Sequence, residues 1–471
     1  MTETAPTPSI SLARPDPEGT YLRINAEALV DESRSLGGGV SVLLSRSDLA
    51  TSSDPSGPLP SGPHPSGPWR VVALGGRHAV DRHPAAARAK VIEASGEVLL
   101  PGLVNAHTHL DLSHVGPRPR SAFGDFVDVV RRERATTPAQ IAQSVNLGAT
   151  LSLRGGVVAV GDIAGAVRGA ACAVACEALA STGLRGVSFL EFFSIGKTRE
   201  ASMELLRREL ARAAALPAFA AAGRVRLGLQ PHAPYSVALE SYSEAMDLAE
   251  HRDLTLSTHL AESIEEHEFI AAATGPQRRL LEAVGAWDDA LSRDFGHGRT
   301  PVAHVADTLL RPGPCRRVLV HLNDLTDDDV KRIVASGCGV VYCPRSSAFF
   351  DAERHFGPHR VAELLGAGVR VALGTDSIIN LPDEEGRPQG PRLSTLDEAR
   401  VLFTRGAILP QALIKAITTT GATLLGLDAD AYRFVEGGEI AGVVAVRMVA
   451  GVDPARGVLE SDAPPRLLVW G

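Results

Sequence analysis

From Leu99 onward the chain alternates between two textures. Apolar runs of strand length recur: "VLLPGLVNAH", "GVVAVGDIA", "GVSFLEFF", "RVRLGLQPHA", "TLSTHLAE", "RVLVHLND", "GVVYCPRS" and "RVALGTDS". Between them lie helix-length stretches rich in Ala, Leu, Glu and Arg, such as "SMELLRRELARAAALPAF" and "DDDVKRIVASG". Strands that are continuously apolar and alternate with amphipathic helices predict a parallel sheet covered by helices. Eight such units predict an α/β fold, a closed (β/α)8 barrel of the TIM type over residues 99–425. An open doubly wound sheet is the alternative, but no glycine-rich phosphate fingerprint follows the first strand.

The two ends of the chain have a different pattern. The first 98 residues carry short strand-like runs, "GGGVSVLL", "WRVVAL" and "KVIEASGEVLL". Residues 426–471 carry "GGEIAGVVAVRM" and "PPRLLVWG". These ends are expected to join into one small β domain, with the barrel inserted between them. A tract repeating Ser-Gly-Pro, "SSDPSGPLPSGPHPSGP", cannot bury a core and predicts a mobile insertion at about 51–68, with His64 a solvated loop residue.

Composition narrows the classes. At 471 residues the chain is too long for one small core, and its 44% hydrophobic share is ordinary for a globular protein. With 47 basic and 55 acidic residues the net charge is −8, and no basic stripe stands out, which argues against a nucleic-acid partner. Five cysteines show no repeated tight spacing, so a reducing, cytoplasmic setting is expected rather than a disulfide framework. Cys172 and Cys176, four apart in "GAACAVACEALA", read as small residues packing a helix rather than as metal ligands. No apolar run reaches membrane-spanning length, and "MTETAPTPSISLARPDPEG" has no signal-like pattern. The expected partner is a small-molecule substrate, and a homo-oligomer is compatible with the chain.

The polar residues fall at the C-terminal ends of the apolar runs, the face of a barrel where chemistry is done. Run one ends at His107 and His109; run four gives His232, run five His259 with Glu262 three residues on, run six His321, and run eight Asp376. Residues i and i+2 of a strand project to the same side, so His107 and His109 can hold one ion together. His259 and Asp376 would complete a mixed nitrogen and oxygen set suited to one divalent metal ion, zinc first, with iron or nickel also compatible.

"PGLVNAHTHLDLS", "HAPYS", "HLAES", "VHLND", "YCPRSSAFF" and "LGTDS" resemble the amidohydrolase superfamily. Within it they look most like the single-metal aminohydrolases that deaminate purine-type rings. The acidic residue after His-Thr-His-Leu and the "CPRSSAFF" stretch resemble aminodeoxyfutalosine deaminases and their relatives, with chlorohydrolases in the same wider group. S-adenosylhomocysteine and related adenosine deaminases are similar but less close. The resemblance implies His107, His109, His259 and Asp376 as metal ligands. It implies Asp376 as the group taking a proton from water, Glu262 as the acid protonating the ring nitrogen, and His321 as a hydrogen-bond partner of the developing oxyanion or the water. His232, Asp111 and Arg345 are expected to contact substrate.

Each assignment has a plainer rival. Asp376 could cap a turn, Glu262 could be a surface helix acid, and His232 could be a packed histidine. Glu265, Glu266 and Glu268 read as solvated helix acids. Arg345 could form an internal salt bridge as readily as grip a carboxylate. Members with two ions use a lysine at the end of strand four, where this chain offers His232. Glu191, or Lys197 just beyond it, leaves an opening for a second ion. The segment "SIINLPDEEGRPQGPRLST" after Asp376 is longer than expected between strand and helix, and Asn380 is the candidate substrate-edge asparagine within it. The expected reaction is hydrolytic deamination of an adenine-like nucleoside. The alternatives are hydrolysis of another C–N or a C–halogen bond, as in cyclic amidases or chlorohydrolases, and a barrel scaffold without catalysis.

Overall fold

The computed structural model describes residues 20–46, 68–166, 172–219, 223–288, 290–406 and 408–471. The tract assigned above to an insertion, with His64, lies outside the described residues apart from Pro68. Eight parallel strands form one sheet: β1 (Leu103–Thr108), β2 (Val157–Ala164), β3 (Arg185–Phe192), β4 (Val225–Pro231), β5 (Thr255–Leu260), β6 (Arg317–His321), β7 (Gly339–Tyr342) and β8 (Val371–Leu373). They pair in chain order from β1 to β8. Strand β2, "VVAVGDIA", is buried along its whole length, as a strand covered on both faces must be.

The barrel closes at its functional end. A parallel bridge joins Thr108 to Asp376, with Asp376 N–H donating to His107 O at 3.1 Å and His109 N–H donating to Asp376 O at 3.2 Å. Below it, the buried Asn105 side chain donates to Thr375 Oγ1 at 2.7 Å and accepts from Thr375 N–H at 3.0 Å. Gly374 permits the approach: a Cβ there would lie 2.8 Å from His107 O. The sequence "LGTDS" is therefore a closure device as well as a carrier of Asp376.

The run "VLLPGLVNAH" is divided by Gly102. Its first half ends the strand Lys90–Pro101, which belongs to a second sheet, and its second half is β1. That second sheet has eight strands drawn from both chain ends, in the order Glu439–Ile440, Trp69–Gly76, Val40–Arg46, Thr20–Val30, Lys90–Pro101, Gly442–Arg447 and Arg466–Trp470, with Ser35–Leu36 paired to Thr20–Val30. Thr20–Val30 and Lys90–Pro101 run parallel, while the other pairs are antiparallel. Ile24, Leu29, Val42, Leu44, Leu99 and Val443 fill its apolar core.

Helices start where caps satisfy their free N–H groups. Thr137 and Gln140 form a reciprocal capping box on Pro138–Arg154, and Thr326 with Asp329 does the same on Asp327–Ser336. Among the described residues no helix is long and apolar enough to cross a membrane.

Candidate metal-dependent active site

His107 and His109 leave β1 on the same side, with ring centroids 5.1 Å apart. His259, from β5, lies 5.1 Å from His107 and stacks on His109 at 5.5 Å. Asp376 Oδ1 is 3.6 Å from His107 Nε2 and 3.4 Å from His109 Nε2. All four residues are buried. His259 Nδ1 is 2.9 Å from the carbonyl of His232, so it carries the proton and leaves Nε2 with its lone pair free.

His107, His109 and Asp376 bring donor atoms within 4.8 Å of one another, as His107, His259 and His321 also do, and this donor chemistry fits a divalent ion. Neither ring nitrogen of the fully buried His107 has a hydrogen-bond partner, nor does His109 Nδ1. Orphan buried nitrogens cost about 1–3 kcal/mol each unless something accepts their lone pairs. Two donors that each lie about 2.1 Å from one ion can stand no more than about 4.2 Å apart, and the spacings at Asp376 Oδ1 fall within that limit. Burial holds His109 and His259 well below the ordinary imidazole range, in the neutral form a ligand requires.

His321 extends the cluster. Its ring lies 5.6 Å from His107 and 5.4 Å from His259, and its Nε2 is 3.6 Å from Glu262 Oε1. Burial brings His321 down to about 3 and pushes Glu262 well above the usual carboxylate range, with the Asp376 charge adding to the latter. Burial also acts upward on Asp376, but the neighbouring imidazoles of His107, His109 and His321 outweigh it and hold that carboxyl below its ordinary value. Glu262, His321 and Asp376 bring donor atoms within 4.8 Å of one another. The backbone beneath is unusual: Ala261, His321, Leu322 and Asp376 all have positive φ, between 55° and 78°. Such left-handed residues cluster where a loop must aim a side chain.

The amidohydrolase family pattern matches residues 98–456 of this chain. The chain belongs to that family. It is 29% identical to the aminodeoxyfutalosine deaminase of Deinococcus radiodurans over 377 residues, covering 76% of this chain and 81% of the relative. The Helicobacter pylori aminofutalosine deaminase in complex with methylthio-coformycin superposes with a TM-score of 0.68 at 21% identity, over 95% of this chain and 98% of that one. A zinc-complexed atrazine chlorohydrolase from Arthrobacter aurescens gives 0.66 at 18% identity, over 93% and 91%. The two solved structures share the amidohydrolase barrel with this chain.

The remaining expected residues take varied positions. His232 lies beside the cluster, 5.1 Å from the His259 ring, with Nδ1 2.7 Å from Ser236 Oγ. The Ser236 hydroxyl donates to Ala233 O, so it accepts from His232 Nδ1–H and leaves His232 Nε2 as an acceptor. Asp111 sits on the 3-10 turn Leu110–Val115 that leaves β1, buried, with Oδ2 3.3 Å from Arg134 Nε. Arg345 departs from the substrate contact expected of it. Its guanidinium is buried, with Nε bound to Glu398 at 2.6 Å and Nη1 to Glu384 at 2.7 Å, so internal carboxylates hold two of its three nitrogens. Asn380 is buried, and its side-chain amide has no partner.

Glu191 comes within 4.8 Å of donor atoms of His232 and His259, but it also faces Arg134 at 3.6 Å and accepts from Ala166 N–H at 3.2 Å. A neighbouring guanidinium disfavours a second cation there. Lys197 is exposed. Cys172 and Cys176 are free thiols, and burial pushes Cys176 up to about 12, so it is no thiolate ligand.

Several residues that hold the site were not found in the sequence. Ser346 Oγ donates to Asp376 Oδ2 at 2.6 Å. Ser347 Oγ donates to Asn323 Oδ1 at 2.9 Å, and Asn323 Nδ2 donates to the Glu262 carbonyl at 2.9 Å. Glu266, expected as a solvated helix acid, is fully buried. It accepts from Ala261 N–H at 3.1 Å and Glu262 N–H at 2.8 Å, because the left-handed turn at Ala261 turns those amides toward the helix Ile264–Ala272. Glu262 opens onto a cavity of about 530 Å³ walled by Phe123, Phe349, Phe350 and Phe356, with Arg120 and Arg354 at its edge. This wall, to which the Phe-Phe pair of "SSAFF" contributes, was not foreseen from the sequence.

Proposed function

We propose that this protein is a hydrolytic deaminase of an adenine-type ring carried by a nucleoside-like small molecule, working with one divalent ion. The observation that carries the reading is the meeting of two carboxyl groups at one rim, within 4.8 Å of each other and of His321: burial favours the protonated form of Glu262, and the neighbouring imidazoles favour the ionised form of Asp376. Two carboxyl groups whose surroundings drive their proton affinities apart are suited to act as acid and base in one reaction.

In this reading His107, His109, His259 and Asp376 hold the ion. Zinc suits the three-nitrogen, one-carboxylate donor set, and iron or nickel would also be accepted. When bound, such an ion lowers the pKa of water from about 15.7 to about 7 and supplies a nucleophile at neutral pH. Asp376 is the base: Oδ1 faces the histidines, and Oδ2, which accepts from the Ser346 hydroxyl and keeps a second lone pair, takes the proton of the attacking water. Glu262 is the acid: it gives its proton to the ring nitrogen beside the attacked carbon, so negative charge does not build on the ring. His321 hydrogen-bonds the oxygen that develops at that carbon. The amino group leaves as ammonia once it is protonated. His232, with Nε2 free to accept, contacts the substrate.

The aromatic wall beside Glu262 supports a flat heterocycle, because Phe faces and edges stack on rings. The relative from Deinococcus radiodurans bears the name aminodeoxyfutalosine deaminase, and one from Haloarcula marismortui the name 5-methylthioadenosine/S-adenosylhomocysteine deaminase. A cytoplasmic setting belongs to the same reading, supported by five unpaired cysteines.

The test is ammonia release by zinc-loaded protein from aminodeoxyfutalosine, adenosine, S-adenosylhomocysteine and guanine. Release from at least one adenine compound, abolished by chelation and restored by metal, is the expected result. Inactivity on all of them, with chloride release from a chlorinated triazine, would replace this reading with the halogen-hydrolysing alternative.

A further inference from the structure

A second cavity lies at the other end of the barrel, where the barrel meets the sheet built from the chain ends. It measures about 600 Å³, within the range of small-molecule sites. Four arginines line it, Arg154, Arg392, Arg447 and Arg466, against one acid, Glu97. On a protein of net charge −8 this is a local reversal of sign.

The arginines are not equally committed. Arg392 donates through Nε and Nη2 to Asp397 at 2.8 and 3.1 Å. Arg466 Nη2 pairs with Glu97 Oε2 at 2.5 Å, which uses the only acid in the lining. Arg154 and Arg447 are exposed and pair with no carboxylate among the described residues. Arg154 ends the helix Pro138–Arg154, three residues before β2 begins, so it lies at the N-terminal end of the barrel. Arg447 ends the sheet strand Gly442–Arg447, in register with Glu97. The two free guanidinium groups thus come from different structural layers and line one cleft. Pro464 and Pro465 give it a rigid wall, and Gln389 adds an amide.

We infer that this cleft binds a small organic oxyanion, phosphate- or carboxylate-bearing, apart from the reaction site. Guanidinium groups recognise both anions through paired, parallel N–H donors. The inference also gives a place to the long segment after Asp376. Gln389 and Arg392 of that segment line the cleft, while Glu384 of the same segment accepts from Arg392 N–H at 3.1 Å and holds Arg345 beside Ser346.

The experiment is isothermal titration of the full-length, metal-loaded protein with glycerol 3-phosphate and, separately, succinate. Ionic strength is fixed with sodium chloride, because salt screens exposed charges. Saturable binding of at least one probe is expected, weakened tenfold or more in the double variant Arg154→Gln/Arg447→Gln. The arm that binds tighter tells phosphate from carboxylate recognition. Binding of neither probe above the chloride background, or equal affinity in the double variant, overturns the inference. Neither arginine touches the histidine cluster, so ammonia release by the double variant stays at the parent level. Failure here therefore leaves the deaminase reading standing.

Discussion

Ser346 Oγ and Asp376 Oδ2 are 2.6 Å apart, and this hydrogen bond fixes which carboxylate oxygen is left to face the histidines. With Oδ2 occupied, Oδ1 is the atom that approaches His107 Nε2 and His109 Nε2. Ser346 is therefore a positioning residue whose effect passes through Asp376. A hydrogen bond to a charged group is worth about 1.5–3 kcal/mol, so Ser346→Ala should lower kcat/KM by about tenfold to a hundredfold. Ser346→Thr, which keeps the hydroxyl, should recover most of the loss. Steady-state kinetics of both variants checks this, and equal damage in both would remove the hydroxyl from the account.

Burial and the Asp376 charge favour the protonated form of Glu262, which has no role in the proposed ligand set. Glu262→Gln should keep its metal, measured by elemental analysis, while kcat falls by about 10²–10⁴, as for loss of a general acid. Unchanged turnover would place the proton donor elsewhere.

Arg345 links Glu398 and Glu384 in the buried layer under the site. Removing one partner of a buried ion pair leaves an uncompensated charge and costs about 3–5 kcal/mol. Arg345→Met should lower the thermal midpoint by several degrees whether or not substrate is present. A midpoint unchanged from the parent, together with a raised KM, would return Arg345 to the substrate.

His304 stacks on Phe295 at 5.0 Å, and burial brings it from 6.5 down to about 4. A histidine depressed in the folded state is protonated first in the unfolded chain. Its stabilising contribution is complete above pH 6.5 and is lost as pH falls toward 4, by about 3 kcal/mol in all. Thermal unfolding of His304→Phe should lose less on acidification from pH 7 to pH 4.5 than the parent does. Identical pH slopes would mean that His304 is solvated.

What was legible in the sequence is what local periodicity encodes. Eight apolar runs announced the barrel, and a polar residue ending an apolar run points to the rim, which is how His107, His109, His259, His321 and Asp376 were found. Partnerships between distant segments were not legible. Arg345 meets Glu384 and Glu398, which lie 39 and 53 residues further on, and no spacing rule announces such pairs. Glu266 looks like its neighbours Glu265 and Glu268, because the turn that buries it depends on a positive φ at Ala261. Asn323 and Ser346 act through hydrogen bonds that exist only once β5, β6, β7 and β8 stand side by side.

The whole account rests on one ion among His107, His109, His259 and Asp376, and anomalous diffraction at the absorption edge of the bound metal locates it directly. The account predicts a single peak within about 2.0–2.2 Å of one nitrogen from each histidine and of one Asp376 oxygen, lost in His259→Ala. A peak held instead by Glu191, His232 and His259, or one that persists unchanged in His259→Ala, would contradict it.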